Sequence, residues 1–258
     1  MKRIFEKPLA RHLCWISLLL LFWQGIYTSG IISPLLLPSL SDVFASLFDS
    51  IINGVLISQI LFSLGIILCG LLAALILALS FSALASRSKV MSSLTDTLSM
   101  LAHPLPAVAV LPLVIVWFGV GTKAIIIIVI HSVLWPLLVN LSASFRGVRS
   151  IYIATGRSLS FGSLRLLLYV YIPASVSALL SGIRIGWARA WRALISAEMI
   201  FGAIGGSGGI GWAMFKSRVM MDTPGLFSGI LVVIIIGIAM ETFLNLIERK
   251  TLLRWGKP

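Results

Sequence analysis

The stretch VLISQILFSLGIILCGLLAALILALSF, residues 55–81, decides the fold class. It contains no charged residue, and it is longer than the roughly 20 residues that a helix needs to cross the hydrocarbon core of a bilayer. Its glycines and serines do not argue against a helix, because neighbouring helices satisfy the backbone groups that such residues free. The stretch therefore predicts a transmembrane helix.

Five further apolar runs lie on either side of this stretch, at residues 13–29, 98–118, 124–143, 174–201 and 225–246. Of the 258 residues, 59% are hydrophobic and 11% are charged, whereas soluble domains carry about 25% charged residues. The first run follows basic residues as a signal peptide would, but no A-x-A cleavage site follows it, so we expect a retained helix. The sequence predicts an all-α polytopic membrane protein with about six transmembrane helices.

The basic residues between these runs predict that both termini are cytoplasmic. With the N-terminus inside, the outside segments hold only three cations, Lys123, Lys216 and Arg218. The inside segments then hold fourteen: Lys2, Arg3, Lys7, Arg11, Arg87, Lys89, Arg146, Arg149, Arg157, Arg165, Arg249, Lys250, Arg254 and Lys257. This asymmetry follows the positive-inside rule. Because the cations lie between apolar runs, the net charge of +12 does not indicate nucleic-acid binding.

The longest cytoplasmic connection, residues 144–172, predicts a surface for a partner. Residues 153–171 are expected to form a short amphipathic helix parallel to the membrane. As a solvated loop they would expose Phe161 and Leu164, and exposed apolar patches of this kind usually mark interaction surfaces. We therefore divide the chain into an N-terminal helix with an external segment (1–54), a core transmembrane domain (55–250) and a cytoplasmic tail (251–258).

The motifs expected of an enzyme are missing from the sequence. No lysine stands in a Walker A setting, so the chain is not expected to hold ATP itself. Residues 206–211 match G-x-G-x-x-G, but no strand–helix unit surrounds them, and a tight re-entrant turn is the better interpretation. The three histidines and two cysteines lack the spacing of metal ligands. We predict no catalytic residue, no metal site and no cofactor on this chain.

The fifth apolar run combines small residues with charges. Small residues recur at every fourth position (Ala174, Ala178, Gly182, Gly186 and Ala190), which lets a neighbouring helix approach closely. Arg184, Trp191 and Glu198 share one helix face, with Trp187 beside them. Arg189 and Arg192 line a different face.

Charges inside a membrane helix usually face protein or a water-filled cavity, because their burial in lipid is costly. One hypothesis is that some of these charges line a solute pathway that favours anions, with Arg184, Trp187, Trp191 and Glu198 as the candidates. The alternative is that they pair with carboxylates or helix ends, or reach the interface by snorkelling.

From residue 36 to the C-terminus the sequence resembles permease subunits of bacterial ABC importers, specifically the nitrate/sulfonate/taurine group. The longest matching stretch is HPLPAVAVLPLVIVWFGVG, residues 103–121. Residues 37–43, 147–150, 181–184 and 197–199 match as well. The resemblance implies the type I importer permease fold in the bacterial inner membrane.

The cytoplasmic connection corresponds to the family's EAA loop, whose short helix seats in a groove on the ATPase. The usual Glu-Ala-Ala falls on Ala154, Thr155 and Gly156, and the usual glycine falls on Ser160, so the acidic contact of the family is missing. Coupling would then rest on Arg157 and apolar contacts, with a specialised ATPase or an impaired subunit as the open explanations. The resemblance implies these ATPase-coupling residues: Ala154, Thr155, Gly156, Arg157, Ser158, Leu159, Ser160, Phe161, Gly162 and Pro173.

The resemblance also implies the partners and the mechanism. Two ATP-binding cassette subunits would hold ATP and Mg²⁺, a second permease copy would complete the pathway, and an external solute-binding protein would deliver the solute. Sulfonates, nitrate and neutral heterocycles stay open as solutes. The rival classes are a self-sufficient secondary transporter or channel, which would show internal repeats and buried acids, and a membrane enzyme.

Overall fold

The structure is a computed structural model that describes residues 8–201 and 208–254. Its α-helices are α1 (Pro8–Ser29), α2 (Leu40–Ile52), α3 (Val55–Ala85), α4 (Lys89–Ala102), α5 (Ala107–Phe118), α6 (Thr122–Arg146), α7 (Ser150–Ser158), α8 (Ser163–Leu166), α9 (Ile172–Ala174), α10 (Val176–Phe201), α11 (Ile210–Val219) and α12 (Thr223–Arg254), and a π-helical turn (Leu167–Tyr171) joins α8 to α9. In these ranges every regular element is helical, which confirms the predicted all-α class. The cations at positions 2, 3, 7 and 257, and the first two residues of the 206–211 motif, lie outside the described residues.

Helix α6 is the centre of the fold and packs between α3 and α10. Its residues Ile128, Val129 and Leu137 are fully buried, as expected for a helix surrounded by other helices rather than by lipid. Gly70 of α3 lies so close to Val129 that a Cβ added there would stand 2.5 Å from its Cγ1. The glycine thus sets the short distance between α3 and α6.

The predicted ladder of small residues on the fifth run is a packing surface. A Cβ at Gly182 would lie 3.1 Å from Leu137 Cδ2, and one at Gly186 would lie 3.0 Å from Val133 Cγ1. Ala190 is fully buried on the same side of α10. These contacts confirm that the small residues of α10 let it approach α6 closely, whereas Ala174, the first residue of the predicted ladder, lies in α9 and is exposed.

Three described helices are long and apolar enough to cross a membrane by themselves: α3, α6 and α12. Two bent pairs pass the same test together, α4 with α5 and the segment Ser163–Ala174 with α10, which raises the number to five among the described residues. Helix α1 is not among these candidates from the described residues, so the span predicted at residues 13–29 stays a prediction. The spans at 55–81, 124–143 and 225–246 are confirmed as continuous helices.

The prediction of one continuous helix over residues 98–118 was wrong. The chain bends by 104° between α4 and α5, and residues 103–106 form the break. Pro104 and Pro106 explain it, because proline lacks the N–H that continues a helix, and the backbone of Pro106 is extended.

Helix α2 was not predicted. It begins after Ser39, whose Oγ accepts a hydrogen bond from the Asp42 backbone N–H at 3.1 Å. A serine followed by an acidic residue in the first turn is a typical N-terminal cap, so the sequence did contain a local signal for this helix.

Candidate functional site

The connection between α6 and α10, called here the coupling segment, comprises residues 150–174. A single amphipathic helix over residues 153–171 was the wrong prediction, because the chain turns back after α7 and continues as α8, the π-helical turn and α9. The turn is a Schellman motif: the Phe161 N–H donates to the Gly156 carbonyl and the Ser160 N–H to the Arg157 carbonyl, both at 2.9 Å.

Ser160 occupies the left-handed position of this motif, with φ of +57°. That position usually holds glycine, since a Cβ there costs roughly 1–2 kcal/mol. It is also the position onto which the family resemblance places the usual glycine of the loop. The coupling segment therefore keeps the backbone turn while carrying a residue that is poorly suited to it.

Gly156 fastens α7 to the second half of the segment. It is buried, and a Cβ at this position would lie 2.7 Å from Leu166 Cδ2 and 3.4 Å from Val170 Cγ2. The absence of a side chain thus lets α7 lie directly on α8 and the π-helical turn. The two halves form one compact unit that leads into α10.

Most of the predicted coupling residues are exposed. Gly156 is buried, Phe161 and Pro173 are half-buried, and the exposed ones are Ala154, Thr155, Arg157, Ser158, Leu159, Ser160 and Gly162. The exposed fractions of Leu159 and Leu164 reach 62% and 68%. Apolar side chains are therefore exposed together with cations in the part of the chain where the sequence predicts a partner surface.

A cleft of about 830 Å³ separates α7 from the ends of α6 and α10. Tyr152, Phe161 and Tyr169 contribute aromatic walls, and the Arg149 guanidinium lies 5.7 Å from the centre of the Tyr152 ring. The sequence has no acidic residue between Asp96 and Glu198, so Arg149, Arg157 and Arg165 have no carboxylate within the coupling segment. The charged residues of the segment, Arg157 and Arg165, are both positive.

The predicted pathway residue Arg184 lies in a polar cluster that ties α10 to α12. Its Nη1 donates to Asn245 Oδ1 at 2.6 Å and is 3.3 Å from Glu248 Oε2. Ser181 donates to the other carboxylate oxygen of Glu248 at 2.7 Å. This is the carboxylate pairing that the sequence left open as the alternative to a pathway role.

The predicted pathway residues Trp187 and Trp191 belong to the core. They are 4% and 6% exposed, and their rings stack with centroids 6.2 Å apart. Trp191 Nε1 donates to the Val233 carbonyl of α12 at 3.2 Å. These contacts pack α10 against α12.

The predicted pathway residue Glu198 is 1% exposed and ties three helices together. Its carboxylate accepts from the Ser63 hydroxyl of α3 at 2.8 Å and from the Gly211 N–H of α11 at 2.8 Å. The Ile210 N–H donates to Ser63 Oγ at 3.0 Å. Ser63, Glu198 and the start of α11 are called here the outer polar cluster, after the side on which the predicted orientation places them.

The glycines after Glu198 have a structural reason. A Cβ at Gly209 would overlap the Glu198 carboxylate and the Ser63 hydroxyl, and one at Gly211 would lie 2.6 Å from the Ile195 carbonyl oxygen. The glycines admit the first turn of α11 to the carboxylate, where a negative charge meets the free N–H groups of a helix N-terminus.

A cavity of about 510 Å³ lies on another face of α10, opposite the break between α4 and α5. Its lining includes Arg189, Arg192 and Ser196, which follow one another at helical spacing on the face that the sequence separated from Arg184. Among the described residues no group of three or more His, Cys, Asp or Glu is placed to hold a metal ion. The pathway role of the four predicted residues stays a prediction, and this cavity was not predicted.

Comparison with known proteins gives the family. Residues 66–253 match the family described as binding-protein-dependent transport system inner membrane component. The permease protein SsuC of Bacillus subtilis (strain 168), named for transport of aliphatic sulfonates, is 29% identical over 97% of this chain and 91% of its own length.

Two further relatives extend the comparison over nearly the whole chain. The taurine transport system permease protein TauC of Escherichia coli (strain K12) is 26% identical over 91% of this chain and 86% of its own length. The nitrate import permease protein NrtB of Synechocystis sp. is 25% identical over 95% and 90%. The chain therefore belongs to the family of binding-protein-dependent transport system inner membrane components and is a multi-pass permease component of an ABC importer.

Proposed function

We propose that this permease imports a small anionic solute and that the coupling segment transmits the work of separate ATPase subunits to α10. Aliphatic sulfonates, taurine and nitrate, for which the relatives are named, each carry an anionic sulfonate or nitrate group. An organic sulfonate, nitrate or a similar anion is therefore the solute class that the relatives favour. The ATPases, which hold ATP and Mg²⁺, are separate chains.

The observation that carries this proposal is the surface of the coupling segment. Leu159 and Leu164 are mostly exposed beside Arg157 and Arg165, although Leu167 and Tyr171 of the π-helical turn pack against the hydrophobic core. When a partner covers the apolar residues of such a solvent-exposed surface, the free energy falls because apolar area is removed from water. Because the segment carries only cations, the docking groove of the ATPase presents carboxylates to it.

The orientation follows the positive-inside asymmetry. With both termini cytoplasmic, the coupling segment lies on the side where ATP is available, and α11 and the outer polar cluster lie on the outside. A second copy of this chain and two ATP-binding cassette subunits complete the transporter. An extracytoplasmic binding protein delivers the solute to the outer side.

Alternating access needs an element with two arrangements that ATP and solute both bias. The junction between the coupling segment and α10 supplies the candidate. The chain bends there by 76°, the backbone of Leu167–Tyr171 is π-helical, and Pro173 follows. π-Helical turns occur frequently at functional positions, and proline stops the backbone hydrogen bonding from continuing evenly across the joint.

The experiment is reconstitution of the chain with its ATPase and binding protein in proteoliposomes. ATP hydrolysis and uptake are measured with taurine, an alkanesulfonate, nitrate and a neutral heterocycle. The proposal expects ATP-dependent uptake of at least one anion, with hydrolysis stimulated by the loaded binding protein. Stimulation by the neutral heterocycle alone would contradict the anionic solute, and uptake without any ATPase would contradict the coupled mechanism.

A further inference from the structure

We propose that the cavity between α10 and the α4–α5 break binds the anionic group of the solute in transit, with Arg189 and Arg192 as its ligands. The inference deepens the proposed function and rests on it, because it names the place in this chain where an oxyanion would be held.

The cavity lies where the membrane-spanning path of the chain is interrupted. Its lining consists of residues 103–108 at the α4–α5 break, Ser132 of α6, and Arg189, Arg192, Ala193 and Ser196 of α10. Non-helical backbone at membrane depth is tolerated where it is covered by protein or lines a water-filled cavity. The volume of about 510 Å³ is within the usual range of small-molecule sites.

The two arginines of the cavity have no carboxylate to neutralise them. Arg189 is half-buried, and its side chain makes no hydrogen bond or ion pair with any residue that the structure describes. Arg192 donates from Nε to the Ala188 carbonyl of its own helix at 3.0 Å, which leaves its terminal nitrogens unused. None of the lining residues is acidic.

Two ion pairs occur among the described residues, and both lie outside the cavity. Arg184 is paired with Glu248, and Arg146 is paired with Asp96 at 3.0 Å. Asp96 and Arg146 are about half exposed, so a carboxylate is supplied even where water could solvate the charge. In the cavity, half-buried Arg189 and exposed Arg192 both lack a carboxylate, and a bound anion would fill that role.

Neutral groups around the arginines fit the same ligand. His103 Nδ1 is buried without a hydrogen-bond partner among the described residues, so a donor or acceptor is left unused at the break. Ala107 and Val108, the first residues of α5, also line the cavity, and the N-terminus of a helix carries unpaired N–H groups and a partial positive charge. The Ser196 hydroxyl adds a donor, and Ser132, whose hydroxyl donates to the Val129 carbonyl at 2.8 Å, adds an acceptor.

Guanidinium chemistry narrows the ligand to an oxyanion. The planar guanidinium group donates two parallel hydrogen bonds to the oxygens of a carboxylate, sulfonate or nitrate. It cannot lose its proton to relieve the repulsion between two arginines. A cation would be repelled, and a neutral solute would leave both charges uncompensated. The cavity therefore selects for an oxyanion group, whichever solute the binding protein delivers.

The test is uptake by the reconstituted transporter carrying Arg189→Gln and Arg192→Gln together, with taurine, an alkanesulfonate and nitrate as probes. Hydrogen bonds to charged groups contribute about 1.5–3 kcal/mol, so we expect the maximal rate of anion uptake to fall about ten- to hundredfold. Co-purification of the ATPase and basal hydrolysis, measured on the same sample, report assembly. Arg218→Gln on α11 is the matched control, since it removes an exposed arginine outside the cavity.

The outcomes separate this inference from the proposed function. Anion uptake by the intact transporter that is unchanged in the double variant overturns the cavity as the anion site. If the intact transporter takes up no anion, this result contradicts the proposed solute class, and the inference that rests on it is contradicted as well. Should the double variant not assemble, Arg192→Gln alone carries the test because Arg192 is exposed, and normal uptake by it overturns the inference. Partial recovery in Arg189→Lys with Arg192→Lys supports a charge role.

Discussion

The outer polar cluster around Glu198 and the coupling segment differ in how far their side chains are buried and provided with partners. At the outer cluster the carboxylate is 1% exposed and has a donor from each of two other helices. In the coupling segment, Leu159 is 62% exposed and Arg157 has no carboxylate nearby in the segment. The first region is complete within one chain, whereas the second presents apolar and charged groups that gain stabilisation only from a partner.

The contrast teaches which charges of this permease hold the fold and which are available for transport. Buried polar groups persist when they are hydrogen-bonded, which explains Glu198, and the partly exposed Arg184 is explained by its contacts with Asn245 and Glu248. Exposed groups of the coupling segment and the unpaired arginines of the cavity have no such explanation within the described chain. The predictions below test this division, beginning with the largest expected effect.

Replacing Glu198 by Ala is expected to cost about 3 kcal/mol of stability, because Ser63 and the Gly211 N–H would lose a buried charged acceptor. Thermal unfolding of the purified chain in detergent measures the loss. Glu241→Ala, which removes an exposed carboxylate on α12, is the matched control and is expected to leave the unfolding temperature nearly unchanged. A Glu198 variant as stable as this control would show that the outer polar cluster does not stabilise the fold.

Replacing Ser160 by Gly is expected to stabilise the turn of the coupling segment by about 1 kcal/mol, because glycine adopts positive φ without a Cβ penalty. Amide exchange over residues 156–161 should slow about fivefold. Ser158→Gly in the last turn of α7 serves as the control, since a helical glycine there should weaken the segment. Faster exchange in Ser160→Gly would mean that the serine makes the turn more stable than glycine does.

Replacing Arg184 by Ala is expected to have the smallest effect, less than about 1 kcal/mol, because the Arg184 side chain is 41% exposed and solvent weakens its pairing with Glu248. Uptake per assembled transporter should stay the same. Glu248→Ala, which removes the other partner, should give a similar change in unfolding temperature. A marked loss of uptake at normal assembly would instead support the pathway role predicted for Arg184 from the sequence.

The membrane class and the core packing were predictable because they depend on apolar length and on spacing. A charge-free run such as residues 55–81 has few alternatives to a transmembrane helix, and small residues such as Gly182 and Gly186 at every fourth position place one face of a helix against a neighbour. These features are local, so the sequence is sufficient to read them.

The breaks and the partners of charges were harder to predict. Pro104 and Pro106 signalled the bend at the α4–α5 break, but hydropathy alone joins α4 and α5 into one run. No clear sequence signal marked the turn of the coupling segment, because Ser160 stands at its positive-φ position, where glycine is usual. The partners of Arg184 and Glu198 lie on α12, α3 and α11, so only tertiary structure could separate these paired charges from Arg189 and Arg192.

The most direct test of the account is stimulation of ATP hydrolysis by the loaded binding protein in a transporter carrying Arg157→Asp. Arg87→Asp, which reverses an exposed arginine outside the coupling segment, is the matched control. If the cationic face of the segment docks on the ATPase, the Arg157 variant loses the stimulation and holds the ATPase less tightly, while the control keeps both. Full stimulation and normal assembly in the Arg157 variant would contradict coupling through this surface.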